Sequence, residues 1–347
     1  MKNRITIITL ALLSVVGCRD ETPTQPHSTL AYYVVPNSSV FPEYISTTGI
    51  PYIRARGATN MIGTITDMSE TGWAVGSRIN NQRLVARMLN IRTGEFVIIG
   101  DSFSAASQAK AINGRGEVVG GEPVLTLGGS SAFHWYKGVR TELGSGAAMD
   151  INDKGVVVGY SWTGTYAAWV RERGPAELRD LGEGRAYGIN NHGDIVGTAP
   201  VPGIVRWRPV LWKDGAVTVL NPTGGEANDI NERGQIVGQA FHPFPVNHRE
   251  AFMWEKGVLT WLGTLPEGGL SAATSINDRG EIVGVDTLEN SIHAVLWRDG
   301  QIIDLGLSGE SGENISEAFG ITNSGQVVGR VGEGSGRNGV VWLPPPR

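Results

Sequence analysis

Three groups of residues in this chain have types and spacings that could do chemistry. The first is Asp67, Asp150 and Asp229, each standing one residue before the Met or Ile of a recurring motif. Carboxylates repeated at one position of a ring could hold a hard cation such as Ca²⁺, the one metal that the sequence suggests. A hydrogen bond inside the repeat accounts for them equally, because other copies place Ala111, Gly188, Ser275 and Gly320 there. The second group is aromatic and basic: Trp162 and Tyr166, Trp207 flanked by Arg206 and Arg208, and Phe241, His242 and Phe244. Rings with polar neighbours suit sugar faces or peptide side chains, whereas rings folded back would merely fill the loops that carry them. The third group is histidine. His242 and His248 share a proline-containing loop with Glu250, a spacing that matches no metal or triad motif, so they read as surface histidines. His134 and His293 sit on or beside strands and read as packed side chains. No glycine-rich phosphate loop occurs in strand–turn–helix context, no cofactor is implied, and no catalytic residue is assigned.

The elements that must position these groups are repeats. A motif of the form Ala-x-x-Ile-Asn-x-x-Gly-x-Val-Val-Gly recurs seven times, best seen at 148–159, 227–238 and 273–284. Its last glycine falls at Gly76, Gly120, Gly159, Gly197, Gly238, Gly284 and Gly329, at intervals of 44, 39, 38, 41, 46 and 45 residues. Within each unit the apolar residues have the period of strands. Ala-x-x-Ile is a first strand, Asn-x-x-Gly a tight turn needing an Asx hydrogen bond and a positive φ, and x-Val-Val-Gly a β-branched return strand. A third strand ends in an aromatic, as at 132–135, 209–212, 251–254, 294–297 and 339–342, and a fourth follows a short turn.

Four strands in about 40 residues, seven times over, predict an all-β seven-bladed β-propeller of antiparallel four-stranded blades. A linear β-solenoid is the rival and would need distinct capping repeats. The ends favour a ring. The seventh unit stops at Trp342 and lacks its fourth strand, while a spare strand-like piece, 50–57, precedes the first; an N-terminal strand would complete the last blade. Residues 31–35 are the alternative donor. Topology puts the uniform turns on one face and the irregular loops, from 159–167 to 238–251 and 305–318, on the other. Varied loops on a rigid frame are where binding is placed.

The N-terminus is a targeting segment. Lys2 and Arg4 precede an apolar run at 5–16, and 15–18 (Val-Val-Gly-Cys) resembles the lipobox of bacterial lipoproteins. That resemblance implies a signal peptide over 1–17, lipidation of Cys18, and anchoring in the cell envelope of an exported chain. Cys18 is the single cysteine, so no intrachain disulfide forms. Residues 18–30 have the composition of a flexible tether, leaving 31–347 for the propeller. Removing 1–17 takes two cations and no acid, leaving 27 Lys and Arg against 34 Asp and Glu, a net charge of −7. A nucleic-acid partner is excluded by that balance.

The repeated AxxINxxGxVVG element, the aromatic-ended third strand and a fourth ending in Leu-Gly resemble the HAF family of extracellular repeats over about residues 60–342. The first copy departs, with Met68 and Ser69 for Ile-Asn and Leu89 for Trp, and the seventh has Thr322 for Asn. The resemblance implies secretion and brings no established activity. The expected function is that of a monomeric binding module for a glycan, peptide or envelope protein through the variable loops. A propeller hydrolase or lyase with its site at the channel mouth is the alternative, and a purely structural surface protein the second.

Overall fold

The computed structural model describes residues 43–45, 51–54 and 62–343, except 81–82, 100–106, 122–130, 163, 175–176, 202–205, 244–245, 247, 307–313 and 333–337. The expected signal, tether and Cys18, the strand candidate at 31–35, and Phe244 fall outside them. Among the described residues all regular elements are strands.

Four of the repeats form separate antiparallel sheets in simple meander order. They are β3–β6 (Thr64–Met68, Trp73–Asn80, Arg83–Asn90, Phe96–Ile98), β15–β18 (Arg185–Ile189, Ile195–Ala199, Arg208–Lys213, Ala216–Val219), β19–β22 (Gly225–Ile230, Ile236–Phe241, Arg249–Glu255, Val258–Trp261) and β23–β26 (Leu270–Ile276, Ile282–Leu288, Ser291–Arg298, Gln301–Asp304). Two more meanders, β7–β10 (Gln108–Ile112, Val118–Gly121, Ser131–Tyr136, Val139–Ser145) and β11–β14 (Ala147–Ile151, Val157–Trp162, Tyr166–Arg171, Arg179–Glu183), touch through the single pair Ala147–Gly121 and so count as one eight-stranded sheet. The last repeat supplies β27–β29 (Ser316–Ile321, Val327–Val331, Asn338–Trp342). Outside β29 lies β2 (Pro51–Arg54), with Tyr52 opposite Trp342, and then β1 (Glu43–Ile45).

The motif explains itself in these sheets. In every copy the first strand carries a β-bulge two residues before the Ile or Met, as at Met149 between Ala148 and Asp150. The bulge drives a first-strand carbonyl against the last motif glycine: a Cβ on Gly159 would lie 2.1 Å from Ala147 O, and the other six would lie 1.9–2.0 Å from theirs. No side chain fits there, whatever the backbone angles. The motif asparagine does two jobs. Its Oδ1 accepts N–H groups of its own turn, for Asn152 those of Lys154 at 3.0 Å and Val156 at 2.9 Å. Its Nδ2 donates to the backbone carbonyl of the next repeat's motif residue, from Asn113 to Asn152, Asn152 to Asn190, Asn190 to Asn231, Asn231 to Asn277 and Asn277 to Thr322, at 3.0–3.2 Å.

The core is distributed between neighbouring sheets. Each buried cluster mixes residues of two successive repeats: Val158, Ala168 and Val170 pack on Ala186, Val210 and Trp212, and Phe252 packs on Val196 and Leu211. Val328 and Val341 of the last repeat join Ile62, Ile65 and Leu89 of the first. The third-to-fourth strand turns, such as Asp214-Gly215 and Lys256-Gly257, have positive φ at both residues, the hairpin geometry that matches strand twist.

Candidate functional site

Both oxygens of each in-register aspartate are engaged by backbone donors from two first strands. Asp67 accepts from Met68 N (2.7 Å) and Ile112 N (2.8 Å), Asp150 from Ile151 N (2.7 Å) and Ile189 N (2.8 Å), and Asp229 from Ile230 N (2.7 Å) and Ile276 N (2.9 Å). Ser275 Oγ also donates to Asp229 at 2.8 Å. These carboxyls staple the first, third and fifth repeats to the second, fourth and sixth, which is the hydrogen-bond account of them carried one repeat further. Burial, opposed by those N–H donors, raises Asp67 to about 6. Burial and the nearby Asp229 push Asp150 up to about 8, and burial raises Asp229 as well.

The first strands end at a depression of about 260 Å³ lined from all seven copies, with Met68 and six Ile residues around it. Its rim is a relay in which each turn's N–H donates to the next turn's side chain: Gly114 to Asp153, Asp153 to Asn191, Asn191 to Glu232, Glu232 to Asp278 and Asp278 to Asn323, at 2.8–2.9 Å, and Asn323 to Glu70. Among the described residues no histidine lines this mouth.

The opposite face carries the loops and most of the expected binding residues. Trp162, 52% exposed, leans on Tyr166 with ring centres 4.4 Å apart, and Tyr166 meets Trp207 edge-on at 5.8 Å. Arg185, which the sequence reading passed over, lies 3.6 Å above the Tyr166 ring and 5.3 Å from that of Trp207. Tyr160 and Tyr187 complete the group, the latter pushed up to about 12 by burial and Glu226. Arg206 lies over the Phe241 ring at 4.2 Å. Arg208 corrects the expectation of an exposed flank for Trp207. It is the first residue of β17 and is buried, its Nη1 donating to Arg206 O at 2.6 Å.

The histidines also depart from expectation. Phe241 pairs with Arg249 in the β20–β21 ladder, so His242 and His248 face each other one step beyond, with His242 N donating to His248 O at 2.9 Å. Their rings stack at 4.3 Å, and His242 stacks on Trp261 at 3.8 Å. Both Nε2 atoms point at one oxygen, Glu250 Oε2, at 2.8 and 3.1 Å, while Gly263 N donates to Oε1 at 2.8 Å. Burial raises the Glu250 carboxyl, and the bonds from His242, Gly263 and His248 outweigh it, so the group titrates below the usual range. His134 and His293 are packed, as expected: His134 is 3.9 Å from buried Glu117, and His293 Nδ1 is 2.8 Å from Asp304 Oδ2. The Asp304 contact holds His293 above its ordinary value.

No family model and no curated protein matches this chain. Solved structures do. The β-propeller domain of the Trilobed protease from Pyrococcus furiosus superposes with a TM-score of 0.60 at 14% identity, over 80% of this chain and 93% of that one. The chain is a β-propeller. Oligogalacturonate lyase from Vibrio parahaemolyticus gives 0.58 at 11% identity, over 88% and 96% of the two chains. An acylaminoacyl peptidase gives 0.57 at 15%, over 81% of this propeller and 51% of that chain. At these identities the likeness is one of fold. The aromatic group and the histidine group therefore sit on the loops of a propeller that its neighbours use in different proteins.

Proposed function

We propose that this protein is an exported seven-bladed propeller, lipid-anchored in the bacterial cell envelope through Cys18, that binds a glycan or peptide through its variable loop face. Seven motif copies and seven two-repeat cores support the blade count, and β2 on the outer edge of β29 supports closure by an N-terminal strand. The motif supports membership of the HAF family. The acidic balance of the chain argues against nucleic acid as the partner.

One observation carries the binding reading: Trp162 is half exposed beside Tyr166, Arg185 and Trp207, so a ring face is presented to solvent next to a fixed cation and phenolic edges. A purely structural surface would bury those rings. Apolar faces with polar edges are what sugar rings and aromatic peptide side chains dock on. The test is a glycan array and an envelope pull-down with wild type, Trp162→Ala and Trp207→Ala. Each variant is expected to lose at least about 10-fold in capture, the loss of one well-packed aromatic contact. Unaltered capture by both variants overturns the reading.

A further inference from the structure

We propose that His242, His248 and Glu250 form a binding site for one divalent transition-metal ion of the Zn²⁺ type, where β20 ends and β21 begins in the fifth blade. The donor atoms of the three side chains already lie within 4.8 Å of one another. In a tetrahedral site with metal–ligand bonds of about 2.0 Å, ligand atoms are about 3.3 Å apart. The two Nε2-to-Oε2 separations are 2.8 and 3.1 Å and the Nε2-to-Nε2 separation is within 4.8 Å, so an ion would widen the first two slightly and draw the imidazoles to itself.

The surroundings fix each ligand in its binding orientation. Gly263 N holds Glu250 Oε1 and leaves Oε2 to face the imidazoles. The indole of Trp261 clamps the His242 ring from one side and the His248 ring covers the other. The His242–His248 backbone bond keeps the loop ends in register. Partners of this kind orient ligands and raise affinity. Two imidazoles with one carboxylate suit Zn²⁺ and its neighbours, whereas Ca²⁺ and Mg²⁺ prefer all-oxygen sets. Three protein ligands leave a fourth position open, and the His248 side chain, 39% exposed, gives the ion a route in.

Without metal, hydrogen bonds from two Nε2 atoms to one carboxylate oxygen require both rings to carry their proton on Nε2. Binding moves those protons to Nδ1 or to solvent, so metal uptake releases or relocates protons.

The experiment is calorimetric titration of ZnCl₂ into the full chain at pH 7.5, with Co²⁺ absorption as a second reading. Wild type is expected to take up one Zn²⁺ per chain and to give the intense visible bands of four-coordinate Co²⁺. His242→Ala and His248→Ala are each expected to weaken uptake by at least about 100-fold, beyond the 10–100-fold that outer-shell changes cost. Glu250→Gln keeps an oxygen for Gly263 N, so its loss of uptake with an unchanged melting temperature separates ligation from folding. The proposal is overturned if wild type takes up no Zn²⁺ at 100-fold excess. Uptake that survives in the double variant His242→Ala/His248→Ala overturns it equally, since the ion then binds elsewhere.

Discussion

Replacing Asn152 tests whether the motif asparagine joins blades as well as forming its turn. The side chain is buried and makes three hydrogen bonds, two accepted from Lys154 N and Val156 N and one donated to Asn190 O. At about 1 kcal/mol for each bond, Asn152→Ala should cost about 3 kcal/mol. For a chain of this size a kilocalorie shifts the melting temperature by roughly 2 °C, so the variant should melt about 6 °C lower. Asn152→Thr imitates the seventh copy, where Thr322 Oγ1 accepts a single turn N–H, that of Gln326 at 3.1 Å; it should cost about 2 kcal/mol. Asn152→Asp keeps both accepted bonds and sets a carboxylate oxygen against Asn190 O. At pH 7 it should cost as much as alanine, and below about pH 4 its protonated form regains a donor and should recover part of the loss. The assay is thermal unfolding by circular dichroism across the four proteins. Alanine within about 2 °C of wild type would refute the count, and aspartate melting like wild type would refute the bridge between blades.

The glycine argument predicts a sharp contrast within one blade. Gly238→Ala places a methyl group 2.0 Å from Glu226 O and should leave no soluble folded protein, whereas Gly257→Ala meets no atom within 4 Å and should cost only about 1 kcal/mol for its positive φ. Expression and melting of the two variants compare them directly. Asp150 governs a pH effect. Its folded pKa, about 8, is raised above the unfolded value, so the stability it contributes is complete below about pH 3.8 and is lost as pH rises through 8. Melting temperature should therefore fall from pH 6 to pH 9, with a slope of at most about 1.4 kcal/mol per pH unit from this group. Asp150→Asn should flatten that slope; the part that persists belongs to Asp67, Asp229 and His293, whose raised values act with the same sign.

Much of the fold was legible because the bulge, the turn and the core each impose a residue type at a fixed place. The last motif glycine could be read as a strand end, but only the bulged partner strand explains why nothing larger stands there. Asn113 and its equivalents read correctly as turn formers. Their second bond runs to another repeat 38–46 residues away, a distance that local patterning does not carry. The aspartates failed to declare themselves for the same reason. The histidine pair was legible and was missed. Where the third strand ends in its aromatic, the motif glycine pairs with the residue two before it, Gly120 with Phe133 ahead of Trp135 and Gly284 with Val295 ahead of Trp297. Applied to Gly238 and Phe252, that register sets His242 opposite His248; the pair is a neighbour across the ladder, which spacing along the chain does not convey. Arg185 gave no signal, since an arginine at the start of a first strand has no repeat equivalent.

The blade-to-blade bonds give the molecule a sense of direction. Each motif amide hands a hydrogen bond forward, and the series stops at Thr322, whose side chain has no N–H to pass on. The forward aspartate staple is missing there too, because Gly320 occupies its place. Between the seventh and first repeats, among the described residues, the contact of Asn323 N with Glu70, the pairing of β2 with β29 and the packing of Val328 and Val341 on Ile62 and Leu89 take over. That junction is the hasp of the assembly: among the described residues it has neither a motif amide bond nor an aspartate staple, and it is the place where an opening would begin.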